Sequence, residues 1–175
     1  VTANLHRLVA MGVPAFEWML KNQLAAAQRL ELRAFAAVAS ALGAEAGPPM
    51  IKMLPTATAA EKSNLLRIAT DARVSAFAPA VPDLINDPAA RSGAMALAGS
   101  LKIKEAIPNI LQASTAGGMV TRQAMTALNA IGDATGLPLA LALAAGDDPH
   151  SRYAAQSLLK QHPTSCLEAA KELMA

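Results

Sequence analysis

Few residues in this chain have the type and spacing for chemistry. Asp147 and Asp148 are adjacent carboxylates, the arrangement that acid and base work or a cation would use. Asp148 precedes Pro149, however, and Asp-Pro at a helix start is the pattern of an N-cap followed by a first-turn proline. His6, His150 and His162 stand far apart with no second ligand at metal-binding spacing, so each reads as a surface or turn residue. The one cysteine, Cys166, has no partner for a disulfide or a zinc site, which favours the cytoplasm. Gly117-Gly118 precedes a helical segment and could offer an anion a helix N-terminus, but it reads first as a turn. Nucleophile elbows, phosphate loops, dinucleotide fingerprints and His-Glu-x-x-His helices are absent from the sequence. The sequence therefore points to a non-catalytic chain with no catalytic residue, no cofactor and no bound metal.

The bulk composition agrees. Of 175 residues, 53% are apolar and only 3% aromatic. Ala supplies about a quarter of them and Leu is frequent, a mixture that favours helix over strand. The net charge of +2 is a small surplus, which disfavours a nucleic-acid partner. The longest strongly apolar, uncharged stretch, 134–146, contains Pro138 and is shorter than the roughly 20 residues that a membrane-spanning helix needs, so no membrane insertion is expected.

The elements that position these residues are repeats. A basic residue recurs at Arg33, Lys62, Arg91, Arg122 and Arg152, at separations of 29, 29, 31 and 30. Three residues after each stand Ala36, Leu65, Ala94, Met125 and Ala155; six after each stand Ala39, Ile68, Leu97, Leu128 and Leu158. Offsets of three and six share one helical face, so both columns are expected to be buried. Thr58 to Glu61 is a capping box, and Asp87-Pro88 and Asp148-Pro149 mark two further helix starts. A second helix in each unit opens near Pro48, Pro82, Pro108 or Pro138, each followed three residues later by an aliphatic side chain. Gly43 and Gly132 read as helix C-terminal signals, while Gly99 comes early for that role. A ladder of cations could bind phosphate or an acidic peptide; the reading preferred is that each cation pairs with a helix-start Asp or a neighbouring backbone. Extended in both directions, with Asn4 in the basic column, the period gives about six hairpins and about twelve helices. Irregular connections are expected at 55–57, 71–79 and 113–118.

This pattern of Asp-Pro-x-x-Arg opening, Arg-x-x-Ala step, Leu-Gly helix end and proline-led second helix resembles the short HEAT-like repeats of phycocyanobilin lyase subunits and many bacterial scaffold proteins. The resemblance implies an all-α fold, a right-handed α-α superhelix forming one HEAT-like repeat domain over residues 1–175. The missing initiating Met suggests a domain excised from, or truncated relative to, a longer protein. The resemblance also implies that second helices line a concave surface. On that surface Lys52, Asp83, Asn86, Asn109 and Gln112 are candidates for binding another protein or peptide. Trp18 is expected to be buried between the first two hairpins; exposed, it would be the best anchor for a partner. The resemblance supports a protein-interaction scaffold or adaptor. The alternatives are a bilin lyase subunit or a nucleic-acid-binding solenoid of the DNA glycosylase type. Terminal hairpins with apolar outer faces would also permit an end-to-end homodimer.

Overall fold

The computed structural model describes residues 2–146 and 148–174, with side chains described except at 2–5, 151 and 172–174. Among these residues the fold is all-helical: α1 Thr2–Ala10, α2 Gly12–Gln23, α3 Arg29–Leu42, α4 Gly47–Met53, α5 Ala59–Ala72, α6 Val81–Asn86, α7 Arg91–Leu101, α8 Ile107–Ser114, α9 Gly118–Ile131, α10 Leu137–Ala145, α11 Pro149–Gln161 and α12 Pro163–Met174. The chain divides into two compact units, Val1–Leu97 and Ala98–Ala175, with the border inside α7. Asp147 and the side chain of Asn4 lie outside the described residues.

Both repeat columns are buried in every copy. Ala36, Leu65, Ala94, Met125 and Ala155 are at most 8% exposed, and Ala39, Ile68, Leu97, Leu128 and Leu158 at most 1%. They sit on α3, α5, α7, α9 and α11, the first helices of successive pairs. Each of these helices therefore turns one apolar face inward, as offsets of three and six require.

The punctuation follows the same period. Pro48, Pro82, Pro108 and Pro138 occupy the second position of α4, α6, α8 and α10, where a missing N–H leaves no bond unmade. Thr58 and Glu61 close a capping box on α5: the Thr58 N–H donates to Glu61 Oε2 at 2.8 Å, and the Glu61 N–H donates to Thr58 Oγ1 at 3.3 Å. The Glu61 carboxyl titrates below its ordinary range because it accepts from the Thr58 backbone N–H and hydroxyl. Thr58→Ala is expected to lower the stability of the first unit by about 1 kcal/mol, measured by denaturant unfolding. Asp87 and Asp148 behave as helix-start residues, accepting from the N–H of Ala89 at 3.0 Å and of His150 at 3.3 Å.

The first helices of four pairs end on residues with positive φ. Gly43 (φ 60) and Gly132 (φ 74) do so as their type allows, but so do Arg73 (φ 52) and Lys102 (φ 55). The four positions are separated by 30, 29 and 30 residues, so the reversal is part of the repeat even where no glycine marks it. Gly99 is not a helix end. It lies within α7, where an added Cβ would come within 3.0 Å of Ala130 Cβ and 3.3 Å of Ala127 Cα. Its role is to let α7 and α9 approach closely. The connections expected to be irregular are ordered in two cases, as 3-10 turns at Leu54–Thr56 and Ser75–Ala80. The third is a tight turn over 115–117 leading into α9.

Candidate protein-binding face

Two cations of the repeating column have partners of the kind the sequence suggests. Lys62 Nζ lies 2.7 Å from Asp87 Oδ2, which joins the start of α5 to the helix-start Asp before α7. The Lys62 hydrogen bond, helped by the Ala89 N–H, holds the Asp87 carboxyl below its ordinary range. Arg91 Nε donates to the Ile85 carbonyl at the end of α6, at 3.0 Å. Pairing of this type fixes neighbouring helices and leaves these two cations committed to structure. Arg33 and Arg152 are exposed and Arg122 is half-buried.

A further ion pair had no sequence signal. Asp133, in the turn between α9 and α10, accepts from the Thr135 hydroxyl at 2.6 Å and the Thr135 N–H at 3.0 Å, and pairs with Lys104 at 3.0 Å. The Thr135 hydroxyl and N–H, then Lys104, pull its carboxyl down to about 2 from 3.8. A depressed folded-state value means that Asp133 stabilises its unit above the unfolded value and loses this contribution as pH falls toward 2. The melting-temperature difference between the wild type and Asp133→Asn should therefore be constant near neutrality, narrow below about pH 4 and vanish near pH 2. A pH-independent difference would contradict this assignment.

The candidates for chemistry take structural places. His6 and His150 are exposed. His162 sits in the turn between α11 and α12 with Nε2 3.1 Å from the Gly132 carbonyl, a hydrogen bond that ties the turn to the end of α9. Gly117 and Gly118 both have positive φ, 78° and 55°, so a left-handed turn accounts for the pair. Cys166 is half-buried on α12. Among the described residues no group of three His, Cys, Asp or Glu side chains could hold a metal, and no helix is long and apolar enough to cross a membrane.

The residues read as binding positions all lie on second helices: Trp18 on α2, Lys52 on α4, Asp83 and Asn86 on α6, and Asn109 and Gln112 on α8. Lys52, Asp83, Asn86 and Gln112 are exposed, and Asn109 is half-buried. Trp18 corrects the expectation of burial, because it is 57% exposed. The reason is helical phase. α2 buries Ala15, Phe16, Met19 and Leu20, which leaves Trp18, two residues past Phe16, on the opposite side.

Of the six, Lys52 lines an open groove of about 300 Å³ in the first unit. Its walls are Glu17, Leu20 and Lys21 from α2 and Pro49, Lys52 and Met53 from α4, with Thr56 at one end. Leu20 and Pro49 are buried and form the floor; Glu17, Lys21, Lys52 and Thr56 are exposed at the rim. Trp18 follows Glu17 in the sequence but does not line the groove. Asp83 and Asn86 share α6 without lining the groove, and Asn109 and Gln112 lie one turn apart on α8 in the second unit. The sequence reading missed Glu17 and Lys21, although the phase that places Phe16 and Leu20 inward places both outward. Other exposed apolar side chains are Met11, Leu30 and Met119, and on the last hairpin Tyr153 and Leu167.

No protein-family model, curated protein or solved structure matches the chain.

Proposed function

We propose that the helix pairs are HEAT-like repeats and that the chain is a non-catalytic scaffold or adaptor, binding a protein or peptide through its second helices. The observation that carries this reading is the set of exposed side chains on second helices. First helices bury an apolar residue at both repeat columns in all five copies, whereas second helices carry an exposed Trp18 and the exposed polar residues Lys52, Asp83, Asn86 and Gln112. A large aromatic left in water next to polar residues of mixed charge is the composition of an interface anchor with its rim. The cations at Lys62 and Arg91 hold adjacent helices together, so two of the five positions of the ladder are committed to structure. Cytoplasmic placement belongs to the same reading.

Affinity capture from a lysate of the source cells tests it. The wild-type chain is compared with a Trp18→Ala, Lys52→Glu, Asp83→Lys variant and with Arg67→Glu, a charge reversal at an exposed position on the first helix α5. The reading expects a protein retained by the wild type and by Arg67→Glu and lost with the triple variant. Capture unaffected by the triple variant, or recovery of nucleic acid or pigment without protein, would refute it.

A further inference from the structure

The groove between α2 and α4 has a chemistry that narrows the class of partner. Its rim carries Lys21 on one wall and Lys52 on the other, and among the described residues neither ammonium has a carboxylate within ion-pair distance. This contrasts with Lys62 and Lys104, whose charges are met by Asp87 and Asp133. Glu17 is the one acid on the rim, one turn before Lys21, so the groove keeps a surplus of one positive charge. The apolar part of the lining is Leu20 and Pro49 at the floor and Met53 on the α4 wall. Trp18 follows Glu17 in the sequence and is exposed, without lining the groove itself.

We infer that the α2–α4 groove docks an acidic peptide segment with an apolar side chain at its centre, the side chain on Leu20, Pro49 and Met53 and flanking carboxylates toward Lys21 and Lys52. This rests on the second-helix interaction reading and names the partner's chemistry at one site. The net positive charge, with one lysine on each wall, favours acidic over basic segments. The apolar floor rewards a buried side chain, which a phosphate backbone lacks. The groove is also short, with two cations rather than the continuous basic track that a nucleic-acid strand follows.

Trp18 is the only tryptophan of the chain, so its emission reports docking without a label. The probes are a short synthetic peptide with a central Leu pair flanked by glutamates, the same peptide with lysines for the glutamates, the same with serines for the leucines, and a short oligodeoxythymidine. The glutamate–leucine peptide is expected to shift Trp18 emission saturably, and the lysine and serine versions to fail. Lys21→Glu with Lys52→Glu should weaken binding about tenfold or more, since two attractive contacts become repulsive. Glu17→Gln should strengthen it by about two- to threefold, an effect that a merely structural role for Glu17 would not produce. Helical content and melting temperature of each variant are measured alongside, so that loss of folding is not read as loss of binding. Equal binding of the acidic and basic peptides, undiminished binding by the charge-reversed variant, no binding of the acidic peptide, or preferential binding of the oligonucleotide would each overturn the inference. A protein captured from lysate that survives reversal of Lys21 and Lys52 but is lost with Trp18→Ala and Asp83→Lys would leave the scaffold reading standing while removing this groove from it.

Discussion

Phe35→Ala is expected to destabilise the first unit by about 3–5 kcal/mol, the largest effect of any single substitution considered. Phe35 is 1% exposed and Phe16 is fully buried. Their rings meet edge to face at a centroid distance of 6.5 Å and an interplanar angle of 63°, which ties α2 to α3. Removing the ring loses its transfer free energy and opens a cavity that helices held by the Ala36, Val38 and Ala39 contacts do not collapse to fill. The edge-to-face geometry adds a part that depends on both rings. A cycle of Phe16→Ala, Phe35→Ala and the double variant should therefore show a coupling of about 0.5–1.5 kcal/mol. Trp18 lies on α2 two residues from Phe16, so its fluorescence follows this unit as denaturant is added. A loss under about 1 kcal/mol, or no coupling, would mean that the two aromatic rings do not form the core they are assigned.

Gly47→Ala is expected to cost about 1–2 kcal/mol, although Ala is the better helix former. Its φ is negative, so backbone strain is not the reason. Within a helix the exchange ordinarily gains about 0.5–1 kcal/mol. Here the new Cβ would collide with Ala76 Cβ and come within 3.8 Å of Ala76 Cα, while Val74 Cγ1 stands at 3.6 Å. An alanine Cβ has no rotamer by which to retreat, so α4 and the 3-10 turn Ser75–Ala80 must separate, and overpacking of this kind costs about 1–3 kcal/mol. Ala76→Gly in the same chain should return most of the loss, because it removes the atom that is struck. Destabilisation by Gly47→Ala without rescue would place its cause elsewhere.

The sequence made the helix pairing legible because three independent signals share one period. The apolar columns report which face is buried, the capping residues report where first helices begin, and the prolines report where second helices begin. Each follows from backbone or solvation physics that acts within a few residues. The positive-φ ends at Arg73 and Lys102 were not legible, since glycine is the residue that ordinarily signals them and neither position carries one. Trp18 shows a different failure. Aromatic content favoured burial, but the phase set by Ala15, Phe16, Met19 and Leu20 decides the matter and points the indole outward. Lys52 could be placed on an exposed face from helical phase alone. The groove that it shares with Lys21 could not, because it depends on how α2 and α4 pack across about 30 residues of intervening chain. The Lys104–Asp133 pair is hidden for the same reason: both residues sit in turns whose approach is a product of folding.

Site-specific photocrosslinking in the native lysate decides whether partners meet the chain on its second helices. A benzophenone side chain is placed in turn at Trp18, Lys52, Asp83 and Gln112 on second helices, and at Ser63, Arg67 and Thr126 on first helices, all exposed positions. The same protein adduct is expected from one or more second-helix positions and from none of the first-helix ones. Adducts confined to the first helices, or no protein adduct from any second-helix position, would contradict the second-helix reading.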